Sequence, residues 1–582
     1  MILQALTALY ETLASQGKLD RPGWADAKIS YALYIDKAGN LWQISDLRQP
    51  PENGKGKPTP KIEKLPILPT GRTSTAKKPA FLWDNPKYLL GIDGKSSLAK
   101  SIPYFESSKA LHHQLLDGVD SPAARALLAF FDQWEPEKAA EHPALKEDWD
   151  NLLSGVNLVF RFEGSFVHED PLIRQAWKDS YDTDSDGPKM ACLITGKRST
   201  AEKTHPPIKG VVGAQSSGAA LVSFNAPAFW SYGHEQSLNA PVSKYAAFAY
   251  TAALNYLLAD RDHVHRIGDT TVLFWARDGR NVYQSLFGAF AMGAPTPYSI
   301  SDLSNTAKAL FQGKPVLWED EKLDPNMNFY VLGIAPNAAR LSVRFFLQNT
   351  FGGFLRNIQA HYDRLEIVCP AFDRFEILPL WKLLGETVSQ KARDKSPAPN
   401  LAGDTLRAIF TNTRYPAPLL NGVTLRIRAE SEVTRGRAAI LKAYYTQNPH
   451  PDVPKEEVCT VSLNPDSTSV PYNLGRLFSV LEEIQSAANP GINATIKDKY
   501  FNAASATPSR VFPTLINLAQ KHLRKLDAGQ TIYYNKKLAE PLEKLGESFP
   551  DRMNLPQQGA FQLGYYHQTQ KRYQKKEEKE NV

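Results

Sequence analysis

The segment from Lys209 to Leu258 constrains the fold of this 582-residue chain most, and it reads KGVVGAQSSGAALVSFNAPAFWSYGHEQSLNAPVSKYAAFAYTAALNYLL. Its first part crowds glycines, amides and aromatic residues, a composition typical of an irregular loop. Its last part has alanine and aromatic residues nearly all round, which predicts a buried helix that follows the N-cap Ser243 and ends near Asp260. The segment therefore predicts a polar and aromatic loop that leads into an interior helix.

The first half of the chain mixes helix and strand patterns. An N-terminal helix is predicted to end near Gly17 because its apolar residues share one face. Further segments predict a hairpin (30–36 and 41–44), a long loop (50–79), helices (105–153) and strands (157–162, 270–275 and 329–334). Beyond about Asn337 strand signals become scarce, and a helix is predicted from Pro513 to Leu526. The fold class is therefore α+β, with an N-terminal mixed α/β region with long loops followed by a C-terminal helical bundle.

The length of the chain predicts two to four domains, because one hydrophobic core rarely serves so many residues. We place an α+β region with motif-recognition and scaffold roles at 1–340, a helical connecting region at 341–454 and a C-terminal helical bundle at 455–582. The first region has room for two subdomains.

Composition indicates a soluble, cytoplasmic protein. The chain carries 68 Lys and Arg against 61 Asp and Glu, a net charge of +7. The N-terminus lacks a basic leader, and no window has the roughly 18 to 20 apolar residues that a membrane span needs. Three widely spaced cysteines form no metal-binding pair and are expected to be reduced and buried.

The segment between Lys55 and Lys78 is strongly basic, with seven Lys or Arg and the single acid Glu63. Such a segment can approach phosphates, and its neutral hydroxyl and amide neighbours can position a backbone or contact base edges. The alternative is a solvated surface loop.

The loop from Lys209 to Asn239 combines glycines with neutral polar side chains. Glycine permits close backbone approach, and amides can pair with bases or phosphates, but the spacing does not match a phosphate-binding P-loop. The candidate binding residues are Lys209, Gln215, Ser216, Ser217, Asn225 and Asn239. The alternative is a turn-rich loop that packs Phe224, Phe229 and Trp230 into the core.

The sequence Asp260-Arg-Asp-His-Val-His265, followed by Asp269, is the strongest candidate for a metal site. Alternate histidines in a strand can converge on an ion, but no open catalytic set accompanies them. We therefore favour a polar helix terminus, and assign no catalytic residue, metal ligand or cofactor.

Two further groups of cations are candidate nucleic-acid contacts. Arg340 and Arg344 are predicted one helical turn apart, with an interdomain ion pair as the alternative. Residues 497–576 hold fourteen Lys and Arg against six Asp and Glu. That stretch is predicted to guide a DNA strand through Lys521, Arg524, Lys525, Lys536 and Lys537, with Tyr500, Tyr533 and Tyr534 available for stacking, and the alternative is a solvated helical surface.

Several strings in the chain resemble one known family. They are the Lys209–Leu258 segment, CLITG at Cys192–Gly196, RTS at Arg72–Ser74, FLWDN at Phe81–Asn85 and VLGIAPNAARLSVR at Val331–Arg344. Together they resemble the large subunit of the subtype I-C CRISPR interference complex (Cascade), the Csd-one type. The resemblance implies a C-terminal bundle similar to a Cascade small subunit.

The family recognises the protospacer-adjacent motif as duplex DNA through its N-terminal domain, which the resemblance implies here for Arg72, Thr73, Ser74, Lys77, Lys78 and Asn85. The implied role is nonenzymatic: motif recognition, duplex unwinding and stabilisation of the R-loop. The implied partners are crRNA, target double-stranded DNA and its displaced single strand, Cascade backbone subunits, a handle-binding processing subunit, small subunits, and a helicase-nuclease recruited after R-loop formation. Two rival hypotheses are a metal-dependent nuclease and a structural crRNA-binding subunit without direct motif recognition.

Overall fold

The structure is a computed structural model that describes residues 1–50, 58–69, 75–183, 187–260, 264–370, 372–373, 377–389, 391–393, 396–398 and 400–573. The chain forms two compact units. The first comprises Met1–Pro206 with Val222–Leu254, and the second comprises Pro207–Leu221 with Asn255–Val582. The three-region division inferred from sequence stays a prediction.

The first unit contains the following helices and strands: α1 (Ile2–Ser15), β1 (Trp24–Ile29), β2 (Tyr31–Ile35), β3 (Leu41–Asp46), β4 (Lys61–Pro66), β5 (Trp83–Asp84), α2 (Pro86–Leu89), α3 (Leu98–Leu116), α4 (Pro122–Gln133), α5 (Trp149–Leu153), β6 (Leu158–Phe162), β7 (Ser165–Phe166), α6 (Pro171–Thr183), β8 (Lys189–Ala191), β9 (Arg198–Thr200) and most of α7 (Lys244–Ala259). Ser243 caps α7 as predicted, since its Oγ accepts from the Ala246 N–H at 3.2 Å.

A mixed sheet of strand order β3-β2-β6-β5, with β7 on β6, organises the first unit. The predicted β2–β3 hairpin is present, and β2 pairs with β6 in parallel. One face of the sheet packs on α4 through Leu33, Phe130 and Phe160, and α3 packs on α4 in the same core. Gly39 in the hairpin turn has φ +86°, and a Cβ there would lie 2.5 Å from the Phe130 nitrogen, so only glycine lets the turn approach α4 so closely.

The predicted loop 50–79 is partly wrong, because Lys61–Pro66 forms β4 and pairs antiparallel with β1 along its full length. Only the last two residues of β4, Leu65 and Pro66, are buried. The strand therefore has little apolar periodicity, and pairing with β1 rather than local sequence determines its conformation.

The second unit begins with a sheet and continues into helices. Its elements are β10 (His265–Ile267), β11 (Thr270–Ala276), α8 (Asn281–Phe287), α9 (Ile300–Phe311), β12 (Val316–Trp318), β13 (Glu321–Leu323), β14 (Asn328–Asn337), β15 (Arg340–Thr350), α10 (Phe351–Leu365), α11 (Leu380–Gly385), α12 (Leu401–Thr411), α13 (Ala417–Glu430), α14 (Arg435–Gln447), α15 (Lys455–Val458), α16 (Val470–Ala488), α17 (Ile496–Ala506), α18 (Pro508–Leu523), α19 (Ala528–Leu542) and α20 (Leu555–Tyr573).

Strand signals become scarce beyond Asn337 in the sequence, but the structure has one further long strand there, β15. β15 pairs with β14 to complete the antiparallel order β10-β11-β14-β15, with a register shift between Gly333 and Ile334. The half-polar sequence of β15 lacks strict alternation, so its pairing with β14 outweighs local pattern. The predicted 513–526 helix is also corrected, since α18 begins at Pro508 and Pro513 lies within it.

Helices α16 and α20 cross at two glycines in the C-terminal bundle. A Cβ on Gly475 would lie 1.9 Å from the Phe561 carbonyl oxygen, and one on Gly564 would lie 2.0 Å from the Tyr472 carbonyl oxygen. The two backbones are thus nearly in contact, and one hydrophobic core runs from the β11–β14 sheet to α20. The α+β fold class is confirmed.

Two further predictions concern membrane-spanning segments and the cysteines. No helix among the described residues is long and apolar enough to cross a membrane. Cys192 is buried, but Cys369 is exposed and Cys459 is half-buried, which corrects the expected burial of all three; none forms a disulfide.

Candidate nucleic-acid interface

Lys77 and Lys78 are exposed, and two tyrosine hydroxyls bind the backbone that precedes them. The Tyr88 hydroxyl of α2 donates to the Ala76 carbonyl at 2.7 Å, and the Tyr104 hydroxyl of α3 donates to the Thr75 carbonyl at 3.3 Å. Two helices thus hold the chain immediately before the two lysines. The predicted contacts Arg72, Thr73 and Ser74 lie outside the described residues.

The FLWDN segment (Phe81–Asn85) after these lysines is mostly buried and is held by hydrogen bonds. Leu82 has φ +66°, and its N–H donates to His112 Nε2 at 3.0 Å while His112 Nδ1 donates to the Ser108 carbonyl at 2.7 Å. Burial lowers the pKa of His112 to about 4, so the ring is neutral and its Nε2 accepts. The buried Asp84 accepts from the Ala80 N–H at 2.8 Å.

Asn85 is half-buried at the start of α2. Its Oδ1 accepts from the Lys87 N–H at 3.1 Å and caps the helix, so this side chain serves the fold. It also lines a polar cavity of about 410 Å³ with Lys87, Asp93 and Tyr104. Lys87 Nζ lies 3.9 Å from the Tyr104 ring centroid and 3.4 Å from Asp93 Oδ2. A contact of Asn85 with DNA stays a prediction.

Two lysines of the basic segment are neutralised by carboxylates. Lys61 Nζ lies 2.6 Å from Glu63, and Lys64 Nζ lies 2.7 Å from Asp20 and 3.1 Å from Asp26. Partial burial lowers the pKa of Lys64, but the hydrogen bonds to Asp20 and Asp26 outweigh it and raise the pKa. Local charge is therefore a poor measure of the cations available to DNA.

The structure divides the predicted Lys209–Asn239 loop between the two units. In the second unit, Gln215, Ser216 and Ser217 are exposed at the tip of a closed hairpin. The Ile208 and Ala219 backbones exchange hydrogen bonds at 2.9 and 2.8 Å. The backbone N–H of the exposed Lys209 donates to Asn255 Oδ1 at 2.8 Å. The tip is thus polar and its base is fixed.

This hairpin lies beside the β14–β15 turn. The Ala220 N–H donates to the Ala339 carbonyl at 3.0 Å, and the Leu341 N–H donates to the Ala220 carbonyl at 3.0 Å. The structure therefore brings the Gln215–Ser217 hairpin and the half-buried Arg340 into one neighbourhood.

The prediction that Arg340 and Arg344 lie one helical turn apart is wrong, because both lie on β15. Four residues along a strand span about 13 Å, more than one helical turn, and Arg344 lies at the register shift of the β14–β15 pair. Arg344 donates to Asp269 Oδ2 in an ion pair within the second unit. Its nucleic-acid role stays a prediction, but its charge already has a partner.

The first unit carries the remaining part of the loop, residues 222–239. Asn225 is exposed, whereas Asn239 is half-buried. The Asn239 amide accepts from the Ser231 N–H at 2.8 Å and donates to the His234 and Gln236 carbonyls at 2.6 and 2.8 Å, so it holds the loop together. Core packing of Phe229 and Trp230 is contradicted, since these side chains are 47% and 37% exposed.

The C-terminal bundle presents exposed cations at the end of α18 and on α19. Lys521, Arg524, Lys525 and Lys536 are exposed, as is the Tyr533 ring. Lys525 Nζ also donates to Asn489 Oδ1 at 3.1 Å. This arrangement offers phosphate attraction next to an aromatic face for stacking.

Lys537 differs from these four cations because it belongs to a partly buried ion-pair network. Its Nζ donates to Glu483 Oε2 at 2.7 Å, and Arg572 Nε lies 3.8 Å from the same carboxylate. Burial lowers the pKa of Lys537, but the hydrogen bond and charge of Glu483 outweigh it, so the pKa is raised. The structure therefore gives Lys537 a structural partner, and strand guiding stays a prediction for it.

The Asp260–His265 string is only partly described, since Arg261, Asp262 and His263 lie outside the described residues. His265 starts β10 and stacks on Phe274, with ring centroids 5.5 Å apart. Within the described ranges, no three His, Cys, Asp or Glu side chains are grouped as metal ligands.

Sequence reasoning missed the residues that position the interface. Tyr88 and Tyr104 hold the backbone before Lys77, and no sequence pattern indicates these contacts across 12 and 29 positions. Tyr232 in the 222–239 loop was also missed, although it is 97% exposed. Its signal was weak, namely an aromatic residue between Ser231 and Gly233.

Comparison with known families finds that a model described as "CRISPR-associated protein (Cas_Csd1)" matches residues 6–573. The chain belongs to this CRISPR-associated Csd1 family, as the sequence resemblance predicted. A comparison with curated proteins finds no match.

Proposed function

We propose that this protein is the large subunit of a type I-C Cascade that recognises the protospacer-adjacent motif in duplex DNA, promotes unwinding and stabilises the R-loop before a helicase-nuclease is recruited. The observation that carries the proposal is the family match across residues 6–573. Its partners are crRNA, target DNA and the backbone, handle-binding and small subunits of the complex. The chain itself is proposed to be nonenzymatic.

The N-terminal geometry supports motif recognition. Lys77 and Lys78 are exposed and follow a backbone anchored by Tyr88 and Tyr104. An anchored backbone lowers the entropy lost when side chains bind a groove, and lysines supply salt-sensitive attraction to phosphates. These residues are suited to hold the duplex while neighbouring polar groups contact base edges.

The C-terminal geometry supports stabilisation of a displaced strand. Lys536 lies one helical turn from the exposed Tyr533 on α19, and Lys521, Arg524 and Lys525 are exposed at the end of the preceding helix. Charge and aromatic rings together bind single strands with little dependence on sequence. In such a division of labour, RNA–DNA pairing selects the target and the protein stabilises the opened DNA, by analogy with another CRISPR architecture.

The test compares crRNA-loaded complexes assembled with and without this chain. Affinity is measured for duplexes with correct and altered motifs over a salt series, and permanganate reactivity reports opening of the displaced strand. We expect the chain to confer motif-dependent binding and opening. Motif-dependent opening without the chain would contradict the proposal.

The same complexes, together with the purified chain, distinguish the proposed function from its two rivals. If the chain is needed for assembly but duplex affinity ignores the motif, a structural crRNA-binding role is favoured. Cleavage of end-labelled duplex by the purified chain with Mg²⁺ or Mn²⁺ would establish a nuclease.

A further inference from the structure

Residues 222–239, here called the aromatic loop, form an ordered platform on the first unit. Trp230 Nε1 donates to the Phe224 carbonyl at 3.0 Å, and the His234 N–H donates to the Ser231 carbonyl at 3.0 Å. The Asn239 amide bonds to the loop at several points, including the Gln236 carbonyl at 2.8 Å. The loop conformation is thus fixed by its own hydrogen bonds.

The aromatic loop exposes aromatic rings to solvent. Tyr232 is 97% exposed and has φ +52°, a left-handed conformation that costs a non-glycine residue about 1 kcal/mol or more. Trp230 is 37% exposed although its indole N–H is bonded inside the loop. Strained backbone and exposed aromatic rings in one ordered loop indicate a surface shaped for a partner.

The charge of the loop selects the class of partner. Between Val222 and Ser243 there is no Lys or Arg, and Glu235 is the single acid. Nucleic-acid surfaces need cations for phosphates. Neutral surfaces rich in Tyr, Trp, Ser, Gly and Asn are instead typical of protein recognition, where aromatic anchors carry most of the binding energy.

We infer that the aromatic loop docks onto a protein subunit of the effector complex, with Tyr232 as an anchor in a neutral or weakly basic pocket of that subunit. The inference rests on the proposed function only in that this chain works within an assembly. DNA recognition by Lys77 or by the C-terminal cations is not part of it. Under this inference the exposed Asn225 belongs to a protein-binding surface instead of a nucleic-acid contact, and Asn239 holds the loop together.

The decisive test places a photo-crosslinking phenylalanine analogue at position 232 in crRNA-loaded complex of known subunits bound to target DNA. A crosslink to a protein subunit is expected. A crosslink to crRNA or DNA would overturn the inference in favour of base stacking, and an assembled complex with no crosslink from position 232 would overturn it as well.

Substitutions at Tyr232 measure how much this side chain contributes to binding the rest of the complex. Tyr232→Asn keeps a residue that tolerates positive φ, and is expected to weaken binding of this chain to the rest of the complex by about tenfold or more, while Tyr232→Phe retains most of the affinity. The matched control is Trp42→Ala, which removes a 58% exposed ring from the same unit. Equal affinity of the wild type and Tyr232→Asn would overturn the inference.

The proposed function and the docking inference can be contradicted independently of each other. If wild-type complex shows no motif-dependent duplex binding, the proposed function fails while the crosslink still reports docking. If Tyr232→Asn assembles like wild type and DNA recognition is intact, only the docking inference fails.

Discussion

The two basic regions of this protein resemble each other in sequence but differ in structure. In the N-terminal segment, Lys61 and Lys64 form ion pairs with carboxylates, and Lys77 and Lys78 are exposed next to the mostly buried segment Phe81–Asn85. In the C-terminal bundle exposed cations predominate, since Lys521, Arg524, Lys525 and Lys536 are exposed and Lys537 donates to the buried carboxylate of Glu483.

This difference teaches that charge excess and charge available to a ligand are separate quantities. A few cations on an anchored segment suit recognition at one place, and a spread of exposed cations on helices suits a strand held without reference to sequence.

The largest effect is expected from charge reversal in the bundle. Changing Lys521, Arg524, Lys525 and Lys536 to Glu should shorten R-loop lifetime by roughly a hundredfold and lower the salt slope by about three, since each phosphate contact on a single strand contributes about 0.7. Motif discrimination should persist, because the N-terminal cations are unchanged. R-loop lifetimes at several salt concentrations measure this, and an unchanged lifetime in assembled complex would contradict strand guiding.

The second effect comes from the N-terminal cations. Alanine at Arg72, Lys77 and Lys78 should weaken motif-proximal duplex binding by tens of fold and reduce the salt slope by about two to three. Titration of guide-loaded complex measures both quantities.

The matched control for that triple variant is Lys61→Ala with Lys64→Ala in the same segment. These lysines pair with Glu63 and Asp20, so duplex binding should be unchanged and the free energy of unfolding should fall by about 1 kcal/mol or less. If the control pair weakens binding as much as the triple variant, the assignment of duplex binding to Arg72, Lys77 and Lys78 is wrong.

The fold was predictable where apolar periodicity was strong. The β2–β3 hairpin, the Ser243 cap and α7 follow from local pattern, and the structure contains them. β4 was missed because its pairing with the distant strand β1 leaves no mark in the local sequence, and β15 was missed because its pairing with the adjacent β14 outweighs its half-polar pattern.

The candidate site was less predictable than the fold. Sequence identified the cations but not which of them have partners: the Glu483 partner of Lys537 lies 54 positions away, and the Asp269 partner of Arg344 lies 75 positions away. The alternative that packs Phe229 into the core is wrong, because hydrophobicity indicates burial without showing when an aromatic ring is exposed at the surface.

A smaller, pH-dependent effect concerns the segment Phe81–Asn85 that follows Lys77 and Lys78. The pKa of His112 is about 4 in the folded protein and near 6.5 in an unfolded chain, so below pH 6.5 the unfolded chain binds a proton that native His112 does not. Local stability should therefore fall as pH decreases, by about 2 kcal/mol at pH 5. Hydrogen exchange of the peptide containing Leu82 measures it.

The control for the acid effect is His112→Gln. This variant is expected to be less stable at pH 7, because it removes the ring that packs on Phe81 and Phe131, but to show a weaker pH dependence in the same peptide. An equal acid dependence in both proteins would mean that other groups cause it.

The smallest effect concerns the hairpin tip of the second unit, which is neither basic region. Gln215→Ala and Ser216→Ala should reduce discrimination between correct and altered motifs by about fivefold, near 1 kcal/mol, with unchanged melting, because both side chains are exposed. Gly218→Ala is the structural counterpart, since φ is +105° there and a Cβ would lie 2.6 Å from Pro207 Cβ, so melting should fall instead. Discrimination unchanged in both tip variants would confine motif recognition to the N-terminal cations and their neighbours; melting lowered by Gln215→Ala would instead give the tip a structural role.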